Sequence, residues 1–265
     1  MIHVNQKIIS GLKRLSKLPT SLKQAYFKSG FDYFFPKINL VRTLEFIVPQ
    51  INLDRISAAV DSTLQDQNLI EIQSSRPQAN GMLSDHELHL IHALVLLSRP
   101  EVVIETGVAS GGSSVSLLSA LCKNNKGKLV SIDLPCVKRN DEIVCLSDTY
   151  KFQPHETSTV PDFDAVGWLV PDSFKDRWSL QLGDSLILLP QVLKNLGTVD
   201  LFLHDSLHAY SHMKTEFETV WPYLSPGGLL LADDIFAFGH SAFSDFAQEV
   251  GRDFFSYSGI GIIVK

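Results

Sequence analysis

The sequence predicts an α/β fold: a mostly parallel sheet covered by helices on both faces. Three observations carry this. After residue 100, short apolar runs alternate with stretches of helical period, the pattern of strands joined by crossover helices. The first run ends in an acid followed by a glycine-rich turn, Glu105-Thr106-Gly107-Val108-Ala109-Ser110-Gly111-Gly112. Finally, 265 residues at 45% apolar and 20% charged suit a packed core and exclude wholesale disorder.

Taken in order, residues 1–75 read as helical and are punctuated by Pro36 and Pro49. Residues 73–82 form a loop. Ser84-Asp85-His86-Glu87 is a capping box, in which the serine hydroxyl and the glutamate each satisfy a free backbone donor. Its helix runs through Leu88, Ile91 and Val95 to about Arg99, before Pro100. The β-like runs are 102–105, 129–133, 180–184, 201–205 and 229–234, with a closing strand in Gly259–Lys265. Helical stretches follow at 113–123, 185–194 and 210–224. In the last, Tyr210, Met213, Phe217, Val220 and Leu224 form one buried stripe. Residues 135–178 break the rhythm and offer no clear strand. They carry Tyr150, His155, Trp168 and Trp178 and read as a lid-like insertion, because so long a connection is usually functional. The division is therefore a helical extension over 1–80, which caps the site or forms a dimer, and a main domain over 81–265.

Charge and cysteine use exclude some roles. The net charge is −6, yet residues 1–40 hold seven Lys/Arg against Asp32 alone. The remainder, at −12, is a poor nucleic-acid binder, since phosphate contacts need many cations. Ile8, Leu12 and Leu15 recur at helical spacing beside Lys7, Lys13, Arg14 and Lys17. That basic amphipathic helix either packs on the body or a partner subunit, or lies on an anionic membrane surface. No apolar run approaches the roughly 18–20 residues of a membrane span, and the start has no secretory cleavage pattern. The three cysteines, Cys122, Cys136 and Cys145, form no CxxC pair. Their odd number argues against a disulfide framework and for a reducing, cytoplasmic setting.

The glycine turn is the first chemical signal. Glycines permit a tight turn and close approach to a ligand. The free N–H groups of the helix starting near Ser113 favour an anionic group. The spacing is E-x-G-x-x-x-G, which departs from the G-x-G-x-x-G of dinucleotide folds. With Glu105, Gly107 and Gly111 in this pattern, followed in order by Asp133, Gly183-Asp184, Asp205 and Pro226-Gly227-Gly228 before a strand, residues 80–265 resemble class I S-adenosylmethionine-dependent methyltransferases. The resemblance implies a Rossmann-like, seven-stranded sheet with its last strand antiparallel. It also places Glu105 near the methionine amino group, Ser113 near its carboxylate, Asp133 at the ribose hydroxyls, and Asp184-Ser185 at the adenine.

The second signal is a group of carboxylates with a histidine. Asp205 and Asp233-Asp234 end two strands at the same sheet edge as the glycine turn. Uncompensated carboxylates repel, and a cation normally offsets the cost. All-oxygen ligation suits Mg²⁺, Mn²⁺ or Ca²⁺. The arrangement is similar to metal-dependent O-methyltransferases of the macrolide-sugar and cephalosporin-hydroxylase-like groups, in which an Asp-x-x-His supplies a metal ligand and a catalytic base. Asp205 and His208 match that spacing. The Asp233-Asp234 pair departs from the Asp-Asn of the catechol type. The expected activity is methylation of a hydroxylated small molecule, such as a sugar or natural-product intermediate. On this resemblance Asp205, Asp233 and Asp234 are the expected metal ligands, and His208 and Asp205 the expected catalytic residues.

Other readings stay open on the sequence. Asp233 or Asp234 can cap a segment or pair with Arg252, and His208 can simply begin a helix. His204 points away from Asp205 by strand alternation and reads as structural. His86, His89 and His92 spread around a helix without completing a metal site, and His240 is a candidate for the acceptor pocket. The competing functions are a metal-independent N- or carboxyl-methyltransferase and a binding protein that has lost turnover.

Overall fold

The computed structural model describes residues 36–75, 82–140, 142–147 and 157–265. The basic helix expected near the N-terminus lies outside these residues. Helices α1 (Pro36–Ile47), α2 (Leu53–Leu64) and α3 (Gln67–Ser75) come first, then α4 (Asp85–Ser98). The capping box forms as expected: Ser84 accepts from the Glu87 N–H, and Glu87 accepts from the Ser84 N–H. The strands and helices that follow are β1 (Val102–Thr106), α5 (Gly112–Asn124), β2 (Lys128–Asp133), β3 (Cys136–Arg139), β4 (Glu142–Cys145), β5 (Trp178–Leu182) and α6 (Ser185–Leu196). The chain ends with β6 (Val199–His204), α7 (Tyr210–Val220), β7 (Leu224–Ala232), α8 (Ala242–Glu249), β8 (Phe254–Tyr257) and β9 (Ile260–Val264).

Seven strands form one sheet in the order β5-β2-β1-β6-β7-β9-β8. The neighbours from β5 to β7 pair in parallel. Strand β9 is antiparallel to both β7 and β8, so the predicted mostly parallel, Rossmann-like sheet with an antiparallel last strand is what forms. Side chains alternate between two cores, as strand geometry demands. Val103, Leu201, Leu203, Leu229 and Leu231 pack under α1–α5, whereas Ile104, Phe202, Leu230 and Ala232 pack under α6–α8. Burying each of these Val, Leu, Ile and Phe side chains contributes about 1.5–3 kcal/mol.

The first helices are bound to the domain by a buried polar knot. Asp66 caps α3 at the Leu69 N–H and accepts from Ser119 Oγ and Lys123 Nζ, both at 2.8 Å. His92, placed against Asp66 and 2.8 Å from Thr63 Oγ1, belongs to this knot.

Two expectations fail in residues 135–178. The segment contains strands: β3 and β4 form an antiparallel hairpin, which escaped notice because four-residue strands carry almost no periodicity. Cys136 and Cys145 stand opposite each other across it and form a disulfide. Cysteine parity therefore misled; Cys122 is the odd thiol. No described helix is long and apolar enough to cross a membrane.

Candidate active site

A cavity of about 1030 Å³ opens at the carboxyl edge of the sheet, between the glycine loop and the ends of β2, β6 and β7. Ligands bind at this edge in open α/β sheets, and the volume is at the upper end for small-molecule sites.

Strand alternation decides which side chains reach it. Glu105 shares the α4/α5 face with Val103. It is fully buried and accepts from Ser114 Oγ at 2.6 Å and Ser131 Oγ at 2.7 Å. Burial raises its pKa, against the pull of Ser113, Ser114 and Ser131. It stands behind the glycine loop and is not among the cavity-lining residues. Gly107 adopts φ +85°, and a Cβ there would lie 1.9 Å from the Asp205 carbonyl oxygen. Only glycine lets the loop turn and lie against the end of β6. Gly111, at φ +94°, caps α5 and would meet Gly167 at 2.9 Å if it carried a Cβ. The insertion is thus docked on the loop, with the Gly167 and Leu169 N–H groups donating to Ala109 and Ser110 oxygens.

Ser113 lines the cavity in the first turn of α5. Asp133 ends β2, lines the cavity and accepts from the Val108 and Ala109 N–H groups at 2.6 and 2.8 Å. Burial nevertheless raises its pKa. Asp184 caps α6 by accepting from the Leu186 N–H, and also lines the cavity. Ser185 lines it while its hydroxyl donates to Glu216.

At the other end lie Asp205, His208, Asp233 and Asp234. Ligand atoms of Asp205, His208 and Asp233 all lie within 4.8 Å of one another. Asp234 adjoins this trio at φ +52°. Burial, then Asp233, Glu105 and Asp234, push Asp205 well above the usual carboxylate range. Burial, then Glu87 and Asp234, push Asp233 up to about 7. Burial, then the His204 ring, lower His208 to about 3, so its imidazole is neutral at physiological pH. His208 stacks on Phe238 with centroids 5.2 Å apart, and its carbonyl accepts from His240 Nε2 at 3.0 Å. His240 supports this segment from behind; the cavity wall does not include it.

Glu87 belongs here too, although nothing local in the sequence signals it. It lines the cavity, and its Oε1 accepts from the Gly259 N–H. A Cβ on Gly259 would meet Glu87 Oε1 at 2.8 Å, Asp233 Oδ1 at 3.3 Å and Asp234 Oδ1 at 3.6 Å. The capping box identified Glu87 as a helix cap, and nothing local shows that its far oxygen faces two aspartates. Glu216 was also missed. Fully buried on α7, it accepts from Thr106, His204, Ser206 and Ser185.

The donors fit both expected groups. Asp233 Oδ1 and His208 Nε2 are buried without a hydrogen-bond partner among the described residues, and clustered carboxylates with raised pKa values favour a cation. The α5 N-terminus suits a carboxylate, and Asp133 suits a diol.

A sequence profile described as a methyltransferase domain matches residues 104–235, the span from the first strand to just past Asp234. The chain is a class I S-adenosylmethionine-dependent methyltransferase. Its fold is shared by a Staphylococcus aureus protein assigned as a caffeoyl-CoA O-methyltransferase, at 17% identity and TM-score 0.54, covering 81% of this chain and 100% of that one. The O-methyltransferase TomG from Streptomyces achromogenes, involved in tomaymycin synthesis and bound to S-adenosylmethionine, matches at 16% and 0.52, covering 76% and 90%. An O-methyltransferase from Bacillus cereus, bound to S-adenosylhomocysteine, matches at 15% and 0.51, covering 76% and 92%. Among curated proteins there is no match.

Proposed function

We propose that this methyltransferase methylates a hydroxyl oxygen of a small molecule, such as a sugar or natural-product intermediate, with a divalent cation at Asp205, Asp233 and Asp234. The observation that carries the reading is the convergence of Asp205, Asp233 and His208 with buried, unpartnered atoms on two of them. Mg²⁺, Mn²⁺ or Ca²⁺ bound there would polarise the acceptor oxygen and lower its pKa. S-adenosylmethionine supplies an electrophilic methyl group. Ser113 and the first N–H groups of α5 would hold its carboxylate, Asp133 its ribose, and Asp184 the adenine side.

The protein's own task is orientation and proton removal. His208, held neutral between His204 and Phe238, presents Nε2 to take the acceptor proton; because burial weakens it as a base, the acceptor hydroxyl must itself be made more acidic, which is the chemistry a bound cation would supply. Phe238 covers one face of the His208 ring. Glu87, Asp133, Asp184, Asp205, Asp233 and Asp234 line the cavity, and no Lys or Arg does so among the described residues.

Calorimetric titration with S-adenosylhomocysteine and with Mg²⁺, then an acceptor screen in Mg²⁺ and in EDTA, tests the reading. Cation binding and EDTA-sensitive turnover are expected. Full activity in EDTA would sink the metal role. Binding of the cofactor product without turnover of any hydroxyl acceptor would point to a protein that has lost catalysis. His208→Ala should keep cation binding and lose turnover; loss of binding would make His208 a ligand instead.

A further inference from the structure

Beneath the cavity floor lies a second carboxylate that the proposed chemistry does not use. Glu216 and His204 are both fully buried. The Glu216 carboxylate accepts from Thr106 Oγ1 at 2.7 Å, His204 Nδ1 at 2.7 Å, Ser206 Oγ at 2.9 Å and the Ser185 hydroxyl, with His212 Nε2 at 3.1 Å. These partners come from three strand ends. Thr106 closes β1 just before Gly107, His204 and Ser206 flank the end of β6, and Ser185 follows β5 at the start of α6.

We propose that Glu216 is a positioning residue that fixes the direction of Asp205 and His208 toward Asp233. Asp205 lies between His204 and Ser206, both held by the same carboxylate. With its neighbours fixed on the α7 face, strand alternation turns Asp205 to the opposite face, where Asp233 lies. The backbone completes the frame: the Asp205 N–H donates to the Thr106 oxygen at 2.8 Å, and the Asp233 N–H to the His204 oxygen at 2.9 Å. The His204 ring meets the His208 ring edge-on at 5.3 Å. Rotation of His204 would therefore displace His208. Metal sites depend on such outer partners for the orientation of their ligands. The inference rests on the cation site proposed above.

The test needs no acceptor. Mn²⁺ affinity and S-adenosylhomocysteine affinity are measured on the full chain and on Glu216→Gln, which keeps the side chain's size and one acceptor oxygen. The Mn²⁺ Kd should rise by roughly tenfold or more, while the S-adenosylhomocysteine Kd stays within about threefold and circular dichroism is unchanged. An unchanged Mn²⁺ Kd in folded Glu216→Gln overturns this inference alone. Equal weakening of both ligands also overturns it, since that is general loosening. Failure of the unsubstituted protein to bind Mn²⁺ removes the cation site and this inference with it. Should Glu216→Gln not fold, Ser206→Ala removes a smaller part of the network, the hydroxyl that donates to Glu216 and lies 3.2 Å from His212 Nε2 and 3.4 Å from His204 Nδ1. A Mn²⁺ Kd raised about threefold supports the positioning role, and an unchanged one overturns it.

Discussion

Two groups of carboxylates, buried or nearly so, sit on opposite faces of the end of β6, and they are treated in opposite ways. Glu216, on the α7 face, is surrounded by hydroxyl and imidazole donors. Burial opposes its ionisation, but His204 and His212 hold it far below the usual carboxylate range. Asp205 and Asp233, on the other face, are pushed up first by burial and then by neighbouring carboxylates, Asp233, Glu105 and Asp234 acting on Asp205, and Glu87 and Asp234 on Asp233. Where the protein supplies its own donors, a buried carboxylate is part of the framework. Where it supplies more carboxylates instead, the compensating charge must come from a ligand.

The largest expected effect is at the satisfied group. Glu216→Ala leaves two histidines and three hydroxyls without their shared acceptor, and should cost about 3–5 kcal/mol, read from urea unfolding. A loss under 1 kcal/mol would show that the network re-pairs and that the contrast is overstated. At the unsatisfied group the sign reverses. Asp205→Asn removes repulsion, so the cation-free protein should gain stability, while divalent-cation affinity falls about 100-fold, or about 2.7 kcal/mol. A destabilised Asp205→Asn would place Asp205 in the framework as well.

The same contrast predicts how stability depends on pH. A carboxylate whose folded pKa is raised keeps more protons folded than unfolded. Its contribution is present below the unfolded value, near 3.8, and is lost as pH rises through the folded value. Cation-free protein should thus lose stability between about pH 4 and pH 7, the value for Asp233, by several degrees in Tm. Saturating Mg²⁺ should abolish that fall. Glu216 works the other way: its contribution is present above pH 4.5 and disappears only in acid. A Tm profile that is flat from pH 4 to 7 without Mg²⁺ would remove the like-charge argument.

How much of this was legible in the sequence depends on distance along the chain. The sheet, the capping box and the glycine turn are local patterns, and they formed as read. Asp205, His208 and Asp233 came together because parallel strands end at one edge. The hairpin of β3 and β4 was invisible because short strands hold no periodicity, and the Cys136–Cys145 bridge depended on that hairpin. Glu87 was read as a cap because its second role requires Gly259, 172 residues away. Glu216 lay unnoticed among the polar positions of α7, since its partners arrive from β1, β6 and the start of α6.

The smallest expected effect falls on Glu105, which stands between the two extremes. It is as buried as Glu216, but its donors are serine hydroxyls with no imidazole among them, and nearby Asp133 opposes its ionisation. Ser131 gives it one of those hydroxyls and also accepts from Trp178 Nε1 at 2.9 Å. Ser131→Ala therefore removes two hydrogen bonds from one buried point. Part of the loss is recovered if Glu105 takes up a proton, so we expect about 1–1.5 kcal/mol in urea unfolding. Because Glu105 lies behind the loop, the S-adenosylhomocysteine Kd should shift by less than about threefold. A tenfold weakening would instead mean that Glu105 reaches the methionine amino group through the loop, and that this buried carboxylate too has its counter-charge supplied by the ligand.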